Sequence, residues 1–395
     1  MKIGTDFSGI GSPEMALKLL HIEHEQVFAC EIDKYARKSF EAIHGKPQTF
    51  YEDITKRDHS EIPQLDLYVA GFPCQAFSMA GKRKGFDDVR GTLFFNVAEF
   101  IKINQPKCFI LENVKGLLSH DGGKTFQTII SLLTDNGGTA NGQIFIPYFE
   151  DGLGYHVYYK VLNTKEYGIP QNRERIFIVG FKEFREFSFP KPFPLELRLK
   201  DMLQDNPDYK YWVKDINTNK RLKQTLKKHK KIKGIKIIDS YNQTIHEIMP
   251  TISTRVNASS CTHLHIDDKY FLSDKMINTL FTKDSGKNNT FKKAEVKGYD
   301  DIAQCLNHRI PKMDRGDNYI KVPSATKKGY EEAVVNQYKI RRLTPLECFR
   351  LQGFPDDAFF RAEKVNSDTQ LYKQAGNSIT TCVMVELLKK ILCLE

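Results

Sequence analysis

Apolar positions over the first 185 residues fall into short runs separated by stretches with a helical period. "KIGTDFS", "QVFACEI", "LDLYVAG", "KCFILENV", "HVYYKVL" and "RIFIVGF" have strand length and are rich in β-branched and aromatic residues. Between them, residues 13–20, 34–43, 93–103 and 124–133 carry amphipathic patterns that predict helices. Strand and helix alternation at this spacing predicts an α/β sheet of parallel strands, with ligands beyond the strands' carboxyl ends. From about Glu186 to Tyr338 the periodicity weakens, and "NKRLKQTLKKHKKIKGIK", Asn219 to Lys236, is strongly basic. Apolar periodicity returns in "RRLTPLECFRLQGFP" and in Ser378 to Leu392. The expected organisation is therefore an α/β domain over 1–185, an irregular domain over 186–338, and a return to the first domain over 339–395. Glycine-rich Asn136 to Gly154 reads as an insertion with no assigned role.

Composition narrows the class. The chain has 395 residues, 40% of them hydrophobic, enough for a sizeable core in two domains or in one with a large insertion. No apolar run approaches the ~20 residues that span a bilayer, and the first residues lack a signal-peptide pattern, so the expectation is a cytoplasmic protein without membrane attachment. Eight cysteines without a C-x-x-C pair indicate neither a disulfide framework nor a metal site. The net charge of +10 suggests a polyanionic partner.

Candidate chemistry then gathers at the strand ends. "TDFSGIGSPEMAL" is strand, Gly9-x-Gly11, then helix, an arrangement that lets a ligand approach backbone at a helix start. Glu31 in "ACEID" and Asp53 in "YEDIT" place carboxylates after the next two apolar stretches, suited to ribose hydroxyls and to an exocyclic amine. No G-x-x-x-x-G-K-[ST] loop is present, which favours a nucleoside without a triphosphate. In "LDLYVAGFPCQAFSMAGKRKGF" an apolar strand ends at Gly71, and Cys74 follows Pro73 ahead of a cationic, glycine-spaced loop.

Together "DFSGIG", "CEID", "EDI", "GFPCQAFSMAGKRKGFDDVRGTLF", "ENV", "GIPQNRERIFIVG", "RRLTPLECFRLQGFP" and "QAGNS" resemble the motifs of bacterial or phage cytosine-C5 DNA methyltransferases, in order and approximate spacing. The likeness covers the chain outside about 186 to 335. Ser12 stands where the family usually has glycine, and Ala76 where proline is common.

The resemblance implies a Rossmann-like α/β methyltransferase domain dependent on S-adenosyl-L-methionine, with a smaller, irregular target-recognition domain. It implies methylation at carbon 5 of a cytosine flipped out of a specific duplex DNA sequence, with S-adenosyl-L-homocysteine as product. A monomer is expected, and a restriction endonuclease acting on the same sequence is a candidate partner. Cys74 would be the thiolate that attacks carbon 6, making carbon 5 nucleophilic. Glu112 would serve ring nitrogen 3 and the amino group. Arg173 and Arg175, expected on one side of a strand, would serve the base carbonyl, the adjacent phosphate and the orientation of Glu112.

For the cofactor the resemblance implies Phe7, Gly9 and Gly11, then Glu31, Ile32, Asp53 and Ile54, then Pro73 and Leu93, with Asn377 and Ser378 closing the site. For DNA it implies Ser78, Arg83 and Arg90, with Lys82 and Lys84, in the loop after Cys74. Thr251 and Arg255 of "MPTISTRVNASS" would read the target. Three other readings compete. A tRNA cytosine-C5 enzyme would carry a Cys-Phe-Thr signature that the chain lacks, and an amino-group methyltransferase would need a Pro-Pro motif that is absent. A catalytically inactive DNA-binding regulator is disfavoured by intact Cys74, Glu112, Arg173 and Arg175.

Overall fold

The computed structural model describes residues 1–73, 93–134, 138–141, 143–144, 152–205, 207–211, 220–229, 236–239, 244–250, 262–265 and 340–394. The chain divides into two compact units, one of Met1–Arg198, Pro250–Val256 and Cys348–Glu395, the other of Leu199–Met249 and Asn257–Glu347.

In the first unit the early apolar runs form β1 (Lys2–Asp6), β2 (Glu25–Cys30), β3 (Thr49–Tyr51), β4 (Leu67–Ala70) and β5 (Cys108–Val114). Later come β6 (Thr139–Ala140), β7 (Gln143–Ile144), β8 (His156–Asn163), β9 (Gln171–Asn172) and β10 (Glu174–Phe181). The main sheet has the order β3-β2-β1-β4-β5-β10-β8-β6-β7. β1 to β5 are parallel, and the order reverses between β1 and β4. Such a reversal leaves a crevice at the carboxyl ends of the strands.

The expectation of a parallel sheet needs one correction, because β10 runs antiparallel to both β5 and β8. β8 and β10 are joined by Thr164–Arg173, shorter than the roughly dozen residues a parallel crossover requires. The reversal brings the start of β10 to the carboxyl end of β5, where Arg175 pairs with Val114.

Helices α1 (Ser12–Leu19), α2 (Lys34–His44), α3 (Leu93–Asn104) and α4 (Lys124–Thr134) follow the amphipathic stretches. Asp33 caps α2 by accepting from the Tyr35 amide at 2.9 Å. Both faces of the sheet are covered, so β4 is buried throughout: Tyr68 and Ala70 enter one core cluster, Leu67 and Val69 the other. Three helices, Asp356–Glu363, Asp368–Asn377 and Thr381–Ile391, return to this unit, and the last packs on α1. Lys373 reaches Asp33 at 2.6 Å and Ser39 donates to Gln374 at 2.8 Å, fastening the returning segment to α2.

In the second unit strands Thr244–His246, Lys236–Asp239, Thr262–His265 and Ile340–Arg341 form an antiparallel sheet in that order. The basic run forms helix Lys220–Lys228, with Leu222 and Thr225 buried and Lys227 and Lys228 exposed. Arg341 and Glu347 form a buried two-pronged ion pair at 2.8 and 2.6 Å. Glu347 also accepts from the Thr344 amide while Thr344 Oγ1 accepts from the Glu347 amide, a reciprocal helix cap. No helix among the described residues is long and apolar enough to cross a membrane.

Candidate active site

Five parallel strands and the start of β10 deliver the site's residues to one edge of the sheet. After β1 the chain turns through positive φ at Phe7 (54°), Gly9 (55°) and Gly11 (78°), a region that glycine enters without strain. Phe7 packs against the core, which holds the unusual backbone in place. After β2, Glu31 accepts from the Gly9 amide and from the Asp33 amide, both at 2.9 Å. Burial pushes its carboxyl above the usual range, opposed by these two donors. Ile32, next to it, is 75% exposed.

After β3, Asp53 accepts from Thr55 Oγ1 at 2.7 Å and from its amide at 3.0 Å, and this bonding lowers its pKa. It thereby caps the turn Ile54–Lys56. Ile54 is buried in the core and Leu93 packs against the same cluster, so both have packing roles whatever else they touch.

After β4, Gly71 and Phe72 lead to an exposed Pro73. Cys74, Ser78, Lys82, Arg83, Lys84 and Arg90 lie outside the described residues, as do Thr251 and Arg255. Most of 136–154 does too.

Glu112, near the end of β5, is 8% exposed, and burial pushes its pKa up against the pull of Arg175 and Arg173. Arg175 Nε lies 3.1 Å from Glu112 Oε1, off the angle of a hydrogen bond, so the pair is an ion contact. The pair crosses the ladder diagonally, since Glu112 sits opposite Phe177 and Arg175 opposite Val114. A Cβ on Gly71 would lie 3.6 Å from Glu112 Oε2. A side chain at Gly71 would therefore touch the carboxylate, so the chain leading to Pro73 passes beside Glu112.

Arg173 occupies the residue between β9 and β10, not a strand position beside Arg175. It donates to the carbonyls of Ser378 at 2.9 Å and Gly376 at 3.3 Å. Burial, reinforced by Arg175, pushes its pKa down to about 9. Arg173 thus ties the glutamate region to "QAGNS", in which Asn377 is exposed and Ser378 is buried, with its hydroxyl donating to the Ile379 carbonyl at 3.0 Å.

One residue that the sequence offered only inside a motif acquires a partner here. Asn113 is 2% exposed, and its amide donates to the Phe72 carbonyl at 2.9 Å. Its signal was present in "CFILENV": a buried amide in an apolar strand must find a partner.

The whole chain from residue 1 to 393 matches the family described as C-5 cytosine-specific DNA methylase. The chain belongs to this family. This C5 methylase is 33% identical over 445 aligned residues to the orphan methyltransferase M.SPRI of Bacillus phage SPR, covering 99% of this chain and 97% of that protein. It is 34% identical to the type II methyltransferase M.HpaII of Haemophilus parainfluenzae, covering 98% and 87%. Among solved structures it resembles the Entamoeba histolytica methyltransferase EhMeth, with TM-score 0.60, 15% identity and coverage of 100% and 98%. It also resembles the Dnmt2 methyltransferase of S. pombe, with TM-score 0.58, 18% identity and coverage of 99% and 98%. At those identities the structures show the fold alone, the Rossmann-like fold of C5 methyltransferases. By membership of its family the C5 methylase is a DNA (cytosine-5-)-methyltransferase, and the family depends on S-adenosyl-L-methionine.

Proposed function

We propose that the C5 methylase acts on a cytosine swung out of duplex DNA through a covalent bond from Cys74. The observation that supports this best is the approach of Gly71 to the buried Glu112 carboxylate, three residues before Cys74. In this reading the Cys74 thiolate attacks carbon 6, Glu112 supplies a proton at ring nitrogen 3, and carbon 5 becomes the nucleophile. When bound, S-adenosyl-L-methionine supplies the methyl group as an electrophile. Loss of the carbon 5 proton to water, return of the nitrogen 3 proton to Glu112 and departure of the thiolate then restore the aromatic ring and the free enzyme. Arg175 keeps Glu112 oriented, and Arg173 holds the Gly376–Ser378 backbone.

The crevice residues fit the cofactor. Exposed Ile32 offers an apolar face for an adenine ring, and Glu31, already held by two amides, keeps lone pairs for ribose hydroxyls. Asp53 Oδ2, whose charged neighbour Lys56 is 3.6 Å away, suits the exocyclic amine. Phe7, Gly9, Gly11, Ile54, Pro73, Leu93, Asn377 and Ser378 complete the assignment.

Thr251 and Arg255 read the target from the segment Pro250–Val256, which belongs to the first unit, while Ser78, Arg83 and Arg90 close on the DNA backbone. Relatives named type II favour a companion restriction endonuclease, and the phage relative named orphan favours its absence. The enzyme acts as a monomer at the nucleoid. The test is a duplex carrying 5-fluorocytosine at the target: it should trap wild type covalently, release Cys74→Ala, and yield a Cys74-linked peptide. Methylation by Cys74→Ala at the wild-type rate would overturn this reading.

A further inference from the structure

We propose that His44 is a positioning residue for the cofactor loop, pinning the Ile10–Gly11 peptide to the end of α2; this rests on the cofactor assignment above. His44 Nε2 lies 2.9 Å from the Ile10 carbonyl, so that nitrogen carries the proton and donates. Nδ1 has no hydrogen-bond partner among the described residues, so the ring's polar contact there is the loop. Ring and loop are shaped for each other. A Cβ on Gly11 would overlap Nε2 and stand 2.6 Å from Cδ2, and Gly11 has φ 78°. Phe40 bounds the imidazole at a ring separation of 4.9 Å.

The support beneath the histidine is fixed as well. The Ile43 carbonyl accepts from Lys18 at 3.1 Å and from Arg361 at 3.4 Å, fastening the last turn of α2 to α1 and to helix Asp356–Glu363. Burial pushes the His44 pKa down to about 3, so the ring stays neutral and the bond does not titrate near neutrality. Ile10 lies between Gly9, which bonds Glu31, and Gly11, which opens α1. Freed from His44, this stretch would sample more conformations and would have to be ordered when the cofactor binds.

Calorimetry with S-adenosyl-L-homocysteine on the full chain tests this, with a thermal melt of each variant. A wild type that does not bind overturns the cofactor assignment itself. With wild-type binding in hand, His44→Phe keeps a ring, removes the donor, and should bind about tenfold more weakly. His44→Gln restores an N–H near the Nε2 position and should recover most of that loss, while both variants keep wild-type affinity for duplex DNA. Should His44→Phe fail to fold, His44→Asn replaces it, its side chain being too short to reach the carbonyl. Unchanged affinity without the donor overturns the proposal. Equal losses in the donor-lacking variant and His44→Gln that track their melting temperatures also overturn it, since they would make His44 a packing residue only.

Discussion

The Asn113 amide donates to the Phe72 carbonyl at 2.9 Å, joining the ends of β5 and β4 immediately before Pro73. Its own oxygen accepts from the Val114 amide at 2.8 Å, so the side chain is fixed at both ends. The residue next to the proposed acid therefore holds the peptide that leads to the proposed nucleophile. Removing the amide leaves the Phe72 carbonyl without this donor, a loss of about 1–3 kcal/mol where such a group is buried. Asn113→Ala should slow single-turnover methylation about ten- to hundredfold while leaving S-adenosyl-L-homocysteine affinity within about twofold. A wild-type single-turnover rate would show that the bond does not position the turn.

Glu112 should impose an alkaline limb on the pH–rate profile. Its pKa is raised by burial, so the protonated form proposed to serve nitrogen 3 persists to higher pH than for an ordinary glutamate, then disappears as pH rises. Glu112→Gln cannot titrate, and it should lose the alkaline limb together with roughly 10²-fold or more in kcat. An unchanged alkaline limb in that variant would remove Glu112 from the proton step.

Glu14 carries a pH dependence of stability unrelated to catalysis. It is 1% exposed; Oε1 accepts from Thr5 Oγ1 at 2.8 Å, and Oε2 has no partner among the described residues. Burial pushes its pKa up to about 7, so folding favours the protonated acid. The stabilisation is fully present below the unfolded value near 4.5 and is lost as pH rises through about 7, a change of about 3 kcal/mol at most. His44, held neutral by burial, has the opposite slope in wild type and variant alike, so the difference between the two proteins isolates Glu14: denaturant titrations should show it moving in favour of Glu14→Gln between about pH 5 and pH 8, with the variant the more stable protein at pH 8. A difference that stays constant over that range, or moves in favour of wild type, would reject the assignment.

Much of the first unit was legible in the sequence because strand and helix periods there are strong and uninterrupted. Pro13 inside the first turn of α1 and the Gly9-x-Gly11 turn ahead of it mark one boundary unambiguously. Strand direction was not legible: "RIFIVGF" has the same apolar pattern whichever way it runs, and only the short Thr164–Arg173 connection sets β10 antiparallel. Both Arg173 and Arg175 bear on Glu112 as expected, and only the strand position of Arg173 was not legible. β10 begins at Glu174, and the partners of Arg173 are carbonyls of Gly376 and Ser378, about two hundred residues away in sequence. His44 was silent because a histidine ending an amphipathic helix looks like a surface residue until the glycine loop is folded against it.

A last prediction concerns the charge pair beneath the crevice. Arg57 meets Asp6 in a two-pronged bond at 2.7 and 2.8 Å, both side chains are fully buried, and Tyr68 donates to the same carboxylate at 2.7 Å. The guanidinium lies over Phe28, Phe100 and Tyr51 at 4.4, 4.8 and 5.3 Å, a site suited to a flat, weakly hydrated cation. Arg57 directly follows the turn capped by Asp53, and Asp6 directly precedes the loop of Gly9, so the pair joins the two segments proposed to hold the cofactor. Arg57→Ala leaves a buried carboxylate without its cation and should cost about 3–5 kcal/mol. Adding Asp6→Asn removes the stranded charge, so the double variant should be destabilised by clearly less than the sum of the two single changes. Arg57→Lys should not rescue, because an ammonium cannot reproduce the fork or the stacking. Urea denaturation of the two single variants and the double one gives the coupling directly, and additive losses would mean that Asp6 and Arg57 do not act as a unit.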